Sequence, residues 1–222
     1  MEQETARHYD LLIEEGNDPV RDPPALQAYM ERWDGVSFLE DLELSPEKDV
    51  LEIGVGTGRL ARRVCGGCRN FTGIDLSEKT IGRAAENLKA FSNITLLCGN
   101  FLTFPLAETF HVIYSSLTLL HIRDKARAVC RIARLLRPGG RAVLSLDKSR
   151  SGFLDYGSRR IRVYPDDPDE MEYEMERAGL WVVKRYENDF AHIMVAEKRQ
   201  TAEETAAVKI EKGEKPICPD FF

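Results

Sequence analysis

Glu52, Gly54, Gly56, Gly58 and Asp75 are the residues whose types and spacing point most directly to chemistry. Glycines at 54, 56 and 58 make a loop that accepts positive φ and lets the backbone approach a ligand with no Cβ in the way. Val50, Leu51 and Ile53 read as the end of a buried strand interrupted by Glu52, and residues 59–64 can continue as a helix. Strand, glycine loop and helix together hold a nucleotide-like ligand over a helix N-terminus, at the carboxyl end of a parallel strand. Residues 71–74 make a second strand that ends in Asp75, and an acid there can accept hydrogen bonds from both hydroxyls of a ribose. A glycine pattern alone is weak and reads equally as a turn with no ligand. The acid at the next strand end is what favours a ligand.

The run Val50-Leu-Glu-Ile-Gly-Val-Gly-Thr-Gly-Arg59 resembles motif I of the class I S-adenosylmethionine-dependent methyltransferases. The third glycine of a dinucleotide fingerprint would fall at Arg59, which departs from the nicotinamide and flavin pattern. A second mark of the resemblance is the helix–Arg137-Pro138-Gly139-Gly140–strand run. It covers roughly residues 46–198 and is closest to the small type-11-like enzymes. It implies S-adenosylmethionine as cofactor, S-adenosylhomocysteine as product, and a small-molecule acceptor methylated at O, N or C. It also implies cofactor binding by Glu52, Gly54, Gly56, Gly58, Asp75 and Leu76. Asn100 would bind adenine through its carbonyl oxygen, with Phe101 offering a ring or a backbone amide. Ser115 and Ser116, at the carboxyl end of the fourth strand, would face donor and acceptor. His121, in the run Leu-Leu-His-Ile, is the candidate catalytic base, because its ordinary pKa lies near neutrality; the bland alternative is a packed structural histidine. Family members cover the cofactor with N-terminal helices, which brings Tyr9 and Tyr29 toward the pocket. Two other classes stay open: a nicotinamide-dependent oxidoreductase, and a non-catalytic cofactor-binding regulatory protein.

These residues need a scaffold, and the pattern supplies one. Consecutive strand–helix units joined by right-handed crossovers predict a three-layer, Rossmann-like α/β fold. Its seven-stranded, mostly parallel sheet ends in an antiparallel final strand. Residues 1–45 read as a helical cover, 46–199 as the cofactor-binding core and 200–222 as a charged tail, with Phe221 and Phe222 able to dock on an apolar surface. In the cover, Tyr9, Leu12 and Ile13 fall on one helix. Leu26, Tyr29, Met30 and Trp33 fall on another, Trp33 as a packing residue, and residues 38–44 make a third. Ser77, Asp124 and Asp167 are predicted N-caps, the last followed by Pro168 at the first helical position. Ile81, Ala84, Ala85 and Leu88 form one buried stripe, and Met171, Met175 and Ala178 another. Residues 148–160 form a polar loop with an extra strand starting at 160, and residues 180–187 and 190–198 form the closing hairpin. The acceptor is expected between the N-terminal helices and residues 148–164.

Composition bounds the rest. A 222-residue chain with a formal net charge of −6 fits one globular domain. Its basic residues are scattered, with no strong nucleic-acid signal. No apolar run is long enough for a membrane span, and the N-terminus is too polar for a signal peptide. Cysteines at 65, 68, 98, 130 and 218 fit a reducing cytoplasm. Cys98 and Cys130 read as core residues. Cys65 and Cys68 read as incidental thiols in a turn, with no metal expected. The oligomeric state is not legible.

Overall fold

The computed structural model describes residues 2–199; the tail from 200, with Cys218, Phe221 and Phe222, lies outside the described residues. Helices α1 (Glu2–Glu14), α2 (Pro24–Asp34) and α3 (Val36–Glu40) come first. The core then alternates β1 (Asp49–Ile53), α4 (Ala61–Val64), β2 (Asn70–Asp75), α5 (Glu78–Asn87), β3 (Ile94–Cys98), β4 (Phe110–Ser115), α6 (Lys125–Leu135) and β5 (Leu136–Asp147). A small hairpin, β6 (Phe153–Asp155) and β7 (Arg160–Arg162), leads to α7 (Pro168–Arg177), β8 (Leu180–Glu187) and β9 (Ala191–Lys198). The seven-stranded sheet runs β3-β2-β1-β4-β5-β9-β8. The pairings from β3 to β5 are parallel, and β9 lies antiparallel between β5 and β8. The expected three-layer fold with its antiparallel last strand is what the chain adopts.

The order changes direction between β1 and β4, and the glycine loop and the segment after β4 both leave the sheet there. The two faces of the sheet carry separate cores. Leu51, Ile53, Ile113, Leu144 and Leu146 pack under α6 and α7, while Val50, Phe71, Val112, Tyr114 and Val143 pack under α3 and α4. Alternation along β1 therefore sends Glu52 to the Tyr114 face.

Local chemistry sets the ends of the helices. Ser77 accepts from the Thr80 amide, Asp124 from Arg127, and Asp167 from Asp169 and Glu170, as predicted. Other expectations need correction. On α5 Ala84, Leu88 just beyond its end and half-buried Ile81 pack on the core as expected; Ala85 is exposed, and Thr80 is buried in addition. Cys98 is exposed on the edge strand β3 and Cys130 is half-buried, because the first has no neighbouring strand to cover it. The Arg137–Gly140 run is not a loop: α6 passes directly into β5, and the run forms the irregular start of that strand. A Cβ on Gly140 would come within 2.8 Å of the Arg137 carbonyl, so the close turn needs glycine.

The expected helical cover divides in two. Phe38 of α3 and Leu42 just after it are fully buried and belong to the sheet's core. By contrast α1 and α2 lie outside it. Asp10 takes the Ser77 hydroxyl at 2.6 Å and the Lys79 amide at 3.1 Å, tying α1 to α5. Trp33 stacks on Phe190 at 4.6 Å, the packing role predicted for it. Tyr29 is exposed and meets the rings of Trp33 and Phe190 edge to face. Among the described residues no helix is long and apolar enough to cross a membrane.

Phe38→Ala should therefore lower stability by about 3–5 kcal/mol, the usual cost of emptying a buried aromatic site. Tyr29→Ala should cost no more than about 1.5 kcal/mol, the size of an aromatic edge contact. Urea unfolding of both variants measures the difference.

Candidate active site

The glycine loop hangs between the carboxyl ends of β1 and β2. The Gly54 and Val55 amides donate to the Ile74 carbonyl at 2.8 and 3.1 Å. The Gly56 amide donates to Asp75 Oδ2 at 3.0 Å, and Ser77 donates to Oδ1 at 3.1 Å. The Asp75 carboxylate thus braces loop and helix start together, while its remaining lone pairs stay available. Burial pushes its pKa up and these amides oppose the shift. Leu76 is half-buried beside it. Gly54 and Gly56 both have positive φ but face different surroundings. A Cβ on Gly54 would collide with the Thr118 side chain, whereas one on Gly56 would meet nothing within 4 Å. Space above the loop is open at Gly56 and closed at Gly54.

Beneath the loop lies a buried polar cluster. Glu52, 3% exposed, accepts from the Tyr114 hydroxyl at 2.7 Å. Burial pushes its pKa up to about 8; Tyr114 and Arg59 pull against that shift and Asp34 adds to it. Arg59 reaches Asp34, at the end of α2, at 2.6 Å, and the Ser116 hydroxyl also donates to Asp34. The residue that breaks the dinucleotide pattern therefore anchors a helix of the cover to the loop.

On the other side of the loop, Tyr9 from α1 meets His121. The phenolic oxygen lies 2.7 Å from Nε2, and the rings are edge to face at 5.4 Å. Burial, with His8 and Lys125 nearby, pushes the His121 pKa down to about 4, so the ring is neutral at physiological pH. Tyr9 is held protonated by burial, so its hydroxyl can donate to Nε2 in the tautomer that carries its proton on Nδ1. Nδ1 is buried without a partner. His8 extends the cluster. Its ring lies tilted against Tyr156 at 4.4 Å, and its Nδ1 accepts from Arg159 at 2.8 Å.

Several candidates sit elsewhere than the sequence suggested. Ser115 is fully buried, and its hydroxyl donates to the Ile53 carbonyl at 3.1 Å, inside the sheet. Ser116 is committed to Asp34. The Phe101 ring belongs to the core under α6, with Arg131 over it at 5.4 Å, so only its backbone is left for a ligand. The Asn100 oxygen accepts from the Leu102 amide at 2.8 Å, closing a turn on itself. Cys65 and Cys68 are buried, and burial pushes their thiols up to about 12 and about 11, away from the thiolate a metal would need. Among the described residues no group of three or more His, Cys, Asp and Glu is arranged to hold a metal ion. Sequence reasoning missed Asp34, Tyr114, Thr118 and His8. An arginine in a glycine motif was the one available hint that a buried acid would face it.

Residues 51–144 match the family model described as a methyltransferase domain. An uncharacterized methyltransferase of Anoxybacillus flavithermus is 27% identical over 191 residues, spanning 78% of this chain and 89% of its own length. Among solved structures, the N-methyltransferase NodS of Bradyrhizobium japonicum, in complex with S-adenosyl-L-homocysteine, is 22% identical with a TM-score of 0.65. That match covers 86% of this chain and 97% of NodS. The [4+2]-cyclase SpnF is 19% identical with a TM-score of 0.71, covering 90% and 98%. Both structural likenesses show the shared fold.

Glu52 gives the site a pH signature. An unfolded glutamate titrates near 4.5 and the folded one near 8. Between those values the folded state keeps a proton that the unfolded state has released. Its contribution to stability is present below pH 4.5 and lost as pH rises through 8. Glu52→Gln removes that loss. Its melting temperature should exceed the wild-type value at pH 8 and approach it at pH 5, as read by calorimetric scans at both pH values.

Proposed function

Since residues 51–144 are a methyltransferase domain, and the chain is a class I S-adenosylmethionine-dependent methyltransferase of the type-11 family, we propose that it methylates an O, N or C atom of a small-molecule acceptor. The observation that carries this reading is the Asp75 carboxylate held against the Gly56 amide, under a loop that is open at that glycine. The residues fit the cofactor. Glu52, Gly54, Gly56 and Gly58 would cradle its aminoacyl end, Asp75 and Leu76 the ribose, and Asn100 with the Phe101 backbone the base. S-adenosylmethionine, when bound, supplies a methyl group on a sulfonium that is already strongly electrophilic.

What remains for the protein is to align, to exclude water and to manage one proton. Alignment falls to the loop and to α1, which is pinned to α5 through Asp10. Water is kept out by the aromatic cluster of His8, Tyr9 and Tyr156, which joins α1 to the β6–β7 turn. This supports an acceptor seated between the N-terminal helices and residues 148–164. An acceptor that carries a proton would give it to the Tyr9 oxygen as Tyr9 passes its own to His121 Nε2. His121 thus works through Tyr9, and an acceptor without such a proton needs neither.

Titration calorimetry with S-adenosylhomocysteine, S-adenosylmethionine and NAD tests the binding half. Wild type should bind the first two and not NAD. Gly56→Val should abolish binding while the fold persists, since the residue strains only its own φ, by about 1–2 kcal/mol. Asp75→Ala should weaken binding roughly ten- to a hundredfold, because a hydrogen bond to a charged group contributes about 1.5–3 kcal/mol. Folded wild type without detectable S-adenosylhomocysteine binding would defeat the reading.

A further inference from the structure

One buried cation joins the chain segments that meet beside His121. Lys125, in the first turn of α6, has a side chain only 13% exposed. Its Nζ lies 2.5 Å from the Leu119 carbonyl, 3.1 Å from the Tyr164 carbonyl and 2.6 Å from Asp166 Oδ1. Its hydrogen bonds go to the two carbonyls, and Asp166 adds an ion pair on the remaining side. Asp166, with its side chain 1% exposed, accepts through Oδ2 from the Asp147 amide at the end of β5. The Tyr164 amide donates to the Leu120 carbonyl at 2.7 Å. Carbonyls 119 and 120 are thus each anchored from outside the turn that presents His121. The turn's own bonds, His121 amide to Thr118 and Ile122 amide to Leu119, are internal and cannot fix its place.

We propose that Lys125, with Asp166 as its partner, is a positioning residue of the methyl-transfer site, holding the 119–121 turn so that His121 stays joined to Tyr9. The proposal rests on the roles given above to those two residues. A buried ion pair is a weak source of stability, because desolvation offsets the attraction, and apolar residues could fill the same volume. What the cation adds is location, since its charge-assisted hydrogen bonds to the Leu119 and Tyr164 carbonyls fix both distance and direction. It also adds charge. The groups facing His121 are Tyr9 and His8 from α1 and Lys125 from α6, with Asp166 behind the lysine. After burial, His8 and Lys125 are what keep the ring unprotonated.

NMR of protein carrying 15N-labelled histidine reads the ring directly and needs no acceptor; His121→Gln assigns its signals. Lys125→Met with Asp166→Asn removes the pair without stranding a buried charge. This double variant should bind S-adenosylhomocysteine within about twofold of wild type. Its His121 midpoint should rise by about one pH unit, a tenfold change in the protonation constant, and the ring should average between tautomers. Lys125→Arg, which keeps the charge, should hold the wild-type midpoint. A folded double variant with the wild-type midpoint and a single tautomer overturns the proposal, as does a tenfold loss of S-adenosylhomocysteine affinity. Should the double variant not fold, Lys125→Gln with Asp166→Asn, which keeps a donor for the carbonyls and strands no charge, is read in the same way, and an unmoved midpoint again overturns it. Failure of wild type to bind S-adenosylhomocysteine would sink the cofactor assignment while leaving the NMR result to stand alone.

Discussion

The carboxylate of Asp75, shared between the Gly56 and Ser77 amides, is the interaction on which the site depends. It closes the glycine loop against the end of β2 and orients the start of α5 in the same stroke. Without it, two orphaned amides would have to find water, and the loop would be held only by the Ile74 carbonyl at its start and by Asn87 on the Thr57 carbonyl further on. The rest follows from that anchor. α5 carries Ser77, Ser77 holds Asp10, and Asp10 sets α1, from which Tyr9 reaches His121.

A second constraint is the burial of acids around the loop. Glu52 and Asp34 both sit within the protein, one protonated near neutrality and the other paired with Arg59. Removing carboxylates from water is costly, and apolar residues would stabilise the fold better. Their presence marks a place where stability is given up for a defined electrostatic environment. A cationic ligand group near Glu52 would favour its ionised form, so the cluster is suited to respond to charge. The fold itself does not dictate the reaction, since the N-methyltransferase NodS and the cyclase SpnF share this architecture.

Much of this was legible in the sequence, for reasons that differ by element. β1, β4 and the β8–β9 hairpin announced themselves through apolar runs bounded by turns, and the helix starts through Ser77, Asp124 and Asp167, whose capping is a local property. The loop and Asp75 were readable because positive φ demands glycine and the loop's amides demand an acceptor at the next strand end. What failed was whatever depended on tertiary neighbours. Ala85 and Cys98 looked apolar enough to be buried, but their positions face outward. Ser115 had the right type at the right strand end, and its hydroxyl was consumed by Ile53. Phe101 offered a ring that the core had already claimed. Nothing in the spacing could join Tyr9 to His121, 112 residues away, or Lys125 to Asp166.

The direct passage from α6 into β5 has its own consequence. Between Leu136 and Arg141 residues 137–140 stand opposite His111 alone, so the irregular start of β5 can take up a change in length. Beyond Arg141 the strand is paired on both sides, and one residue inserted there would shift it by one position, exchanging Leu144 and Leu146 on one face of the sheet with Val143 and Ser145 on the other. The 148–160 segment, built on a small exposed hairpin, carries no such penalty. Insertions and deletions among descendants of this chain should therefore accumulate in the 148–160 segment, and the paired part of β5 should keep its length.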